Sequence, residues 1–290
     1  MNSKARFLIL VALFRICLPS AAVAAPAPAL QGAESCYPKE IPAPRIASQT
    51  LIVVDRTTWP DAIAKRDFMA AVQSLVERGS QRVVVLSFAG IASGESLARD
   101  LDIRVEPPIT DGEVINNSRI GPFKRSQSCV AQRRYASVEA TRSTLDKLLV
   151  PPGPELARSE IAWALSNTIR EFVDPRLDTW LLVFSDGLQF GSGQNFYWRK
   201  PGGGTGPRRI DPDAEMKRLP TGLYGSDGKG GTRIRLRWWG LLATPSRPGS
   251  QQYADADMLH RYDLYWRKVL TGWRITVEGI GPTINNPLFD

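Results

Sequence analysis

Short apolar runs alternate along this chain with stretches of helical spacing, and several of the runs stop on a polar residue. Residues 51–55 (LIVVD) are the first, four apolar positions and then an aspartate. A continuous apolar run is how a parallel strand buried on both faces reads, and its last residue lies at the strand's C-terminal end. From Pro60 the apolar residues Ile63, Phe68, Val72, Leu75 and Val76 fall near helical spacing up to Gly79, the expected stop. Residues 57–59 are then the strand-to-helix turn. Residues 82–88 (RVVVLSF) make a second buried strand, 97–106 alternate weakly as an edge strand or hairpin, and Pro107 and Pro108 break them. Residues 109–127 read as a polar connection.

Helical spacing returns over 130–149, is broken at 151–154 (PPGP), and resumes from Glu155 or Ser159 to Phe172. A strand at 179–185 follows and runs into Asp186 and Gly187. Residues 187–231 are the least regular part, with the clusters GSG, PGGGTG and GSDGKGG; a loop of that length inside a domain is usually functional or disordered. A strand over 233–242, a helix over 253–270 and a last strand over 273–279 close the chain. Strands alternating with helices predict an α/β fold, a three-layer α/β/α sandwich around a Rossmann-like, mostly parallel sheet with right-handed crossovers. In such a sheet Asp55 and Asp186 meet at the crevice outside the strands' C-terminal ends, where open α/β folds bind ligands.

The N-terminal pattern is of another kind. Lys4 and Arg6 precede an apolar run over 7–18 that is interrupted by Arg15, and Ala22-Val23-Ala24 follows as a small-x-small cleavage site. Residues 1–24 therefore read as a secretory signal peptide, too short and too charged to span a bilayer. This predicts a periplasmic or secreted protein. Residues 25–49 are Ala/Pro-rich and read as an extended arm, leaving 50–290 as the folded domain. Without the leader two cysteines remain, Cys36 and Cys129, and an even number in an oxidising compartment predicts a disulfide from the arm to the middle of the chain. The formal charge of +8 falls to +5 once Lys4, Arg6 and Arg15 are removed, a bias that permits an anionic partner without demanding one. At 290 residues and 43% hydrophobic, the chain holds enough apolar material for a sizeable core and is neither fibrous nor wholly disordered.

One constellation carries candidate chemistry. Asp55-x-Thr57 follows the first strand, Ser159 lies in the run ARSEIAWAL, and a later strand ends Phe184-Ser185-Asp186-Gly187. In this order the residues resemble a von Willebrand factor type A domain, and the likeness extends over 50–279 with the Gly-rich segment as an insertion. The resemblance implies a metal-ion-dependent adhesion site, whose pattern is Asp-x-Ser-x-Ser, a later Thr and a later Asp. Asp55 matches the first aspartate, Thr57 the first hydroxyl, Ser159 the later threonine and Asp186 the last aspartate. Trp59 stands where the second hydroxyl belongs and Thr58 is one residue out of step, so the site is partly degenerate. Hard cations such as Mg²⁺ or Mn²⁺ fit such a set: carboxylates supply charge, hydroxyls supply neutral oxygens, and waters complete the shell. The family reading is a non-enzymatic binding, adhesion or scaffold module that engages a protein partner in the cell envelope. It takes no small-molecule substrate and touches the membrane only through an uncleaved leader. Simpler jobs exist for the same residues: Asp55 as the cap of the helix near Pro60, and Asp186-Gly187 as a turn.

The irregular segment is the other candidate surface. From Arg199 to Arg237 ten basic residues face four acidic ones, with Phe190, Phe196, Tyr197, Trp198 and Tyr224 in or near the stretch. Such a mixture grips an anionic envelope polymer or nucleic acid, or is simply a solvated loop. Enzymatic signals are thin. His260 is the sole histidine and sits in an amphipathic helix, and no Gly-x-Ser-x-Gly, His-Glu-x-x-His or phosphate-binding loop occurs. A phosphohydrolase with Asp55 as nucleophile stays open as an alternative, although Thr57 occupies the place where that chemistry uses a second aspartate.

Overall fold

The computed structural model describes residues 35–37, 45–79, 81–91, 94–110, 120–152, 159–191, 193–199, 205–220, 223, 233–243 and 255–284. The first half contains β1 (Ser48–Asp55), α1 (Ala62–Arg78), β2 (Gln81–Ile91), β3 (Gly94–Val105) and α2 (Ile120–Leu148). After α3 (Ile161–Phe172) and β4 (Asp178–Phe184) come four short strands, β5 (Phe190–Gly191), β6 (Gln194–Asn195), β7 (Tyr197–Arg199) and β8 (Thr205–Pro207). The chain continues through α4 (Pro212–Met216), β9 (Ile234–Trp239), α5 (Ala256–Gly272) and β10 (Thr276–Gly281). Residues 1–24, read from the sequence as a signal peptide, and most of the Ala/Pro-rich stretch at 25–49 lie outside the described residues.

The long apolar runs pair into one six-stranded sheet of order β10-β9-β4-β1-β2-β3. All its pairings are parallel except that of β3, which closes one edge antiparallel to β2. β1 is apolar throughout because helices cover it on both sides. Leu51 and Val53 pack with Ile161 and Leu165 of α3 and Trp266 of α5, whereas Ile52 and Val54 pack with Phe68 and Val72 of α1 and Leu145 of α2. The molecule is therefore the three-layer α/β/α sandwich that the alternation predicts. The sequence runs outward from β1 through β2 to β3, then returns to β4 on the other side of β1. Strand order thus reverses between these two neighbours, which lie in register with Val54 opposite Phe184.

Local structure departs from the sequence expectations where polar side chains disguise a buried stripe. α2 begins at Ile120, ten residues ahead of the predicted start at 130. Its buried positions include Phe123, Ser126, Val130, Ser137, Thr141 and Leu145, helical in spacing but half of them hydroxylated. Thr141 satisfies its own hydroxyl by donating to the Ser137 carbonyl at 2.8 Å, so the polar stripe can be buried. At α1 the cap is Asp61, whose carboxylate accepts from the Ile63 and Ala64 backbone amides at 3.0 Å. Asp55 therefore does not cap that helix. Trp273, expected in the last strand, is the C-cap of α5, and Arg274 turns the chain with φ 60° before β10 begins.

Residues 35–37 of the arm are tied to the fold. Cys36 and Cys129 form a disulfide across 93 residues, joining residues 35–37 to α2 beside Ile109, Phe123 and Val130. Glu106 receives the Ser35 hydroxyl at 2.5 Å and the Cys36 amide at 3.2 Å, which fixes the same segment to the end of β3. No helix among the described residues is long and apolar enough to cross a membrane.

Candidate functional site

Asp55 ends β1 and is 1% exposed. Its Oδ1 accepts from the Thr57 amide at 2.9 Å and the Thr57 hydroxyl at 2.6 Å, the local turn that an Asp-x-Thr sequence makes. Its Oδ2 accepts from the Ser159 hydroxyl at 2.6 Å and the Ser185 hydroxyl at 2.7 Å. Ser159 arrives from the segment that leads into α3, and Ser185 from the residue after β4. The strand reversal thus brings three hydroxyls from three parts of the chain onto one carboxylate. Asp186 follows Ser185, and its Oδ1 accepts from the Leu188 amide at 2.9 Å. The four residues singled out in the sequence lie at one place: Asp55, Thr57 and Ser159 are in direct contact, and Asp186 is joined to them by Ser185, the residue before it, which bonds Asp55, and by its own amide, which donates to Thr58.

Two members carry no separate weight in the sequence reading. Ser185 supplies the second serine hydroxyl to Asp55, so a hydroxyl does reach the carboxylate although Trp59 fills the motif position. Thr58 accepts the Asp186 amide on its hydroxyl at 2.9 Å, stitching the end of β1 to the end of β4. The only sequence signal for Ser185 is its place beside Asp186. Thr58 shows in the sequence only as a hydroxyl one residue out of step with the motif, because its bond depends on the register of the two strands.

The Ser185-Asp186-Gly187 turn is held at every carbonyl. The Trp238 indole donates to the Ser185 oxygen at 2.8 Å, the Leu242 amide to Asp186 at 2.9 Å and the Trp266 indole to Gly187 at 3.1 Å. Gly187 adopts φ 76°, and a Cβ there would meet Leu241 Cδ1 at 2.4 Å. Behind the turn, the Gln189 side-chain oxygen takes the Ala162 amide at 3.0 Å in the first turn of α3, and the Phe190 amide donates to the Ser159 carbonyl at 2.8 Å. These bonds position the Ser159 segment against β4.

Burial governs the electrostatics. It raises the Asp55 carboxyl above its ordinary range, with the Ser159, Thr57 and Ser185 hydroxyls pulling the other way. Asp186 is pushed up to about 7, by burial first and then by the negative charge of Asp55. Burial first, and then the negative charges of Asp186 and Asp55, raise the Tyr197 hydroxyl of β7 well above its ordinary range. Glu160, next to Ser159, is raised by burial beneath Gly191.

Among the described residues, no three His, Cys, Asp or Glu side chains gather as a metal site. A cation here would rest on two carboxylates and neutral oxygens. The donor chemistry fits a hard divalent ion: Thr57 and Ser159 give their hydroxyl protons to Asp55 and keep oxygen lone pairs, whereas the Ser185 oxygen also accepts the Gly187 amide at 3.1 Å, and carboxylate and hydroxyl oxygens are the type Mg²⁺ or Mn²⁺ accepts.

The described part of the irregular segment is docked on α5. Phe196 is fully buried against Tyr262 and Tyr265, the Tyr262 hydroxyl shares its one proton between the Phe196 and Arg208 carbonyls, and the Tyr265 hydroxyl donates to the Gln194 side-chain oxygen. Its basic residues are partly neutralised within the fold: Arg208 and Arg218 both pair with buried Glu215, and Arg209 pairs with Asp257. Lys200, Tyr224 and Lys229 lie outside the described residues.

No protein-family model matches the chain, and no curated protein does. Among solved structures it is similar to proximal thread matrix protein 1 from the mussel byssus, at 11% identity and a TM-score of 0.33 over 68% of this chain and 38% of that one. A human COPII-coat protein gives 14% identity and a TM-score of 0.31 over 81% and 30%. The pilus adhesin SpaC from Lactobacillus rhamnosus GG gives 12% and 0.27 over 80% and 24%. The chain thus spans well under half the length of each.

Proposed function

We propose that this chain is a von Willebrand type A-like binding module that engages a protein partner through Mg²⁺ or Mn²⁺ held by Asp55, Thr57, Ser159 and Asp186. The observation that carries the reading is the convergence of Thr57, Ser159 and Ser185 on Asp55, with Asp186 beside them, where the strand order reverses. That is where an open α/β sheet binds its ligands. The cation, when bound, supplies an open coordination position for an acidic side chain of the partner. Thr57, the half-buried member, marks the side from which a partner reaches it. The Cys36–Cys129 disulfide supports an oxidising location, and with the N-terminal leader pattern it supports placement in a bacterial cell envelope.

Calorimetric titration with Mg²⁺ and Mn²⁺ tests this directly. One-site binding is expected for the wild type and not for Asp186→Ala; a wild type that takes up neither ion overturns the cation reading. An anionic polymer on the irregular segment draws less support, because Arg208, Arg209 and Arg218 are already paired with acids of the fold.

A further inference from the structure

Two hydroxyls tie the acid-bearing ends of β1 and β4 together. Ser185 Oγ donates to Asp55 Oδ2 at 2.7 Å and accepts the Gly187 amide at 3.1 Å, so a single oxygen links the carboxylate that ends β1 to the backbone just beyond Asp186. Thr58 makes the second link, from the turn after β1: its Oγ1 accepts the Asp186 amide at 2.9 Å. Both side chains are buried, Ser185 completely, which leaves these bonds to the protein rather than to solvent. The turn that carries Asp186 is therefore fixed to the end of β1 at two points.

That fixing works against a repulsion. Asp55 is 1% exposed and Asp186 8%, and two carboxylates in one buried site push each other apart when both are ionised. A hard divalent ion needs oxygens already held at one spacing, because Mg²⁺ accepts little departure from octahedral geometry. In the motif that this chain resembles, a second hydroxyl belongs at position 59. Trp59 stands there, and the hydroxyls that join the two strand ends come from Thr58, one residue earlier, and from Ser185, beside the last aspartate. We infer that Ser185 and Thr58 are the positioning residues of the cation site: they act through Asp55 and Asp186, set the separation and aim of the two carboxylates, and so offset the hydroxyl absent at 59. The inference rests on the cation reading and adds two residues to the four that it names.

Calorimetric titration of the full chain with Mn²⁺ tests it, at a temperature where circular dichroism shows every variant folded. Ser185→Ala and Thr58→Val each remove one hydroxyl with little change of shape, and each should weaken Mn²⁺ binding by about 10–100-fold, the range for residues that orient metal ligands. Thr58→Ser keeps the hydroxyl and drops only a methyl, so it should bind nearly as the wild type does; a loss equal to that of Thr58→Val would mean that packing, not the hydrogen bond, matters there. Cys36→Ser/Cys129→Ser is the control for stability alone: it is weakened away from the site and should keep the wild-type affinity. Wild-type Mn²⁺ affinity in Ser185→Ala or in Thr58→Val, even with a lower urea midpoint, would overturn the inference and leave the cation reading standing. A wild type that takes up no Mn²⁺ would remove both.

Discussion

Asp55 has both carboxylate oxygens engaged by neutral donors, and this makes its neighbours unequal. Ser159 and Ser185 are fully buried, so truncating either leaves a buried charged oxygen short of a partner with no water to replace it. Ser159→Ala and Ser185→Ala should each lower stability by about 1.5–3 kcal/mol, the range for hydrogen bonds to charged groups, measured by urea unfolding without divalent ions. Thr57→Ala should lose less, because water reaches that half-buried site. The pair of acids also sets a pH dependence. The unfolded chain releases the Asp186 proton near 4, whereas the folded protein holds it to about 7. Between those values the folded state binds more protons, so the stability of the cation-free protein should fall as pH rises from 4 to 7. The slope from this group is at most about 1.4 kcal/mol per pH unit, and Asp186→Asn should flatten it; a profile that rises over the same window would contradict the burial argument. Asp55, Thr57, Ser159 and Asp186 were legible in the sequence because motif order along the chain is enough to nominate them. Ser185 and Thr58 were less so, since their bonds exist only once β1 and β4 pair in one particular register.

At the scale of elements, the turn after β4 is the part most constrained by shape. Gly187 combines a positive φ with indole and leucine side chains packed where a Cβ would stand. Gly187→Ala should therefore destabilise by about 2 kcal/mol or more, through backbone strain together with displacement of Leu241. Gly240, at φ 90° with the Ser185 carbonyl 3.1 Å from an added Cβ, should respond in the same direction and less severely. Thermal unfolding of both alanine variants provides the comparison. The six strands of the main sheet and the helices α1, α3 and α5 were readable because their buried faces are apolar and periodic. The start of α2 was hidden by Ser126, Ser137 and Thr141 on its buried stripe. The irregular segment was harder still. Its fixed points are Phe196, Ile210 and the Tyr262 and Tyr265 hydroxyls of α5, contacts between distant positions that leave no local period.

Across the whole molecule the disulfide couples the arm to the fold. Glu106 already fixes residues 35–37 to the end of β3 through two hydrogen bonds, and the Tyr37 hydroxyl donates to the Pro107 carbonyl at 3.2 Å. Those contacts alone leave the unfolded chain free to separate residues 36 and 129. The covalent link removes that freedom from the unfolded chain: closing a loop of 93 residues is worth up to about 4.7 kcal/mol in the chain-entropy model, and loss of a native bridge typically removes 2–5 kcal/mol. The double variant Cys36→Ser/Cys129→Ser should therefore unfold at lower urea concentration, with a loss in that range. Its denaturant dependence should steepen, since an unfolded chain freed of the bridge exposes more surface. If the midpoint falls while the slope stays fixed, the bridge acts by packing around Ile109, Phe123 and Val130 in the native state. The Asp55 cluster contains no residue of this region, so cation binding by the folded fraction should survive the double substitution, which separates the stability of the scaffold from the chemistry of the site.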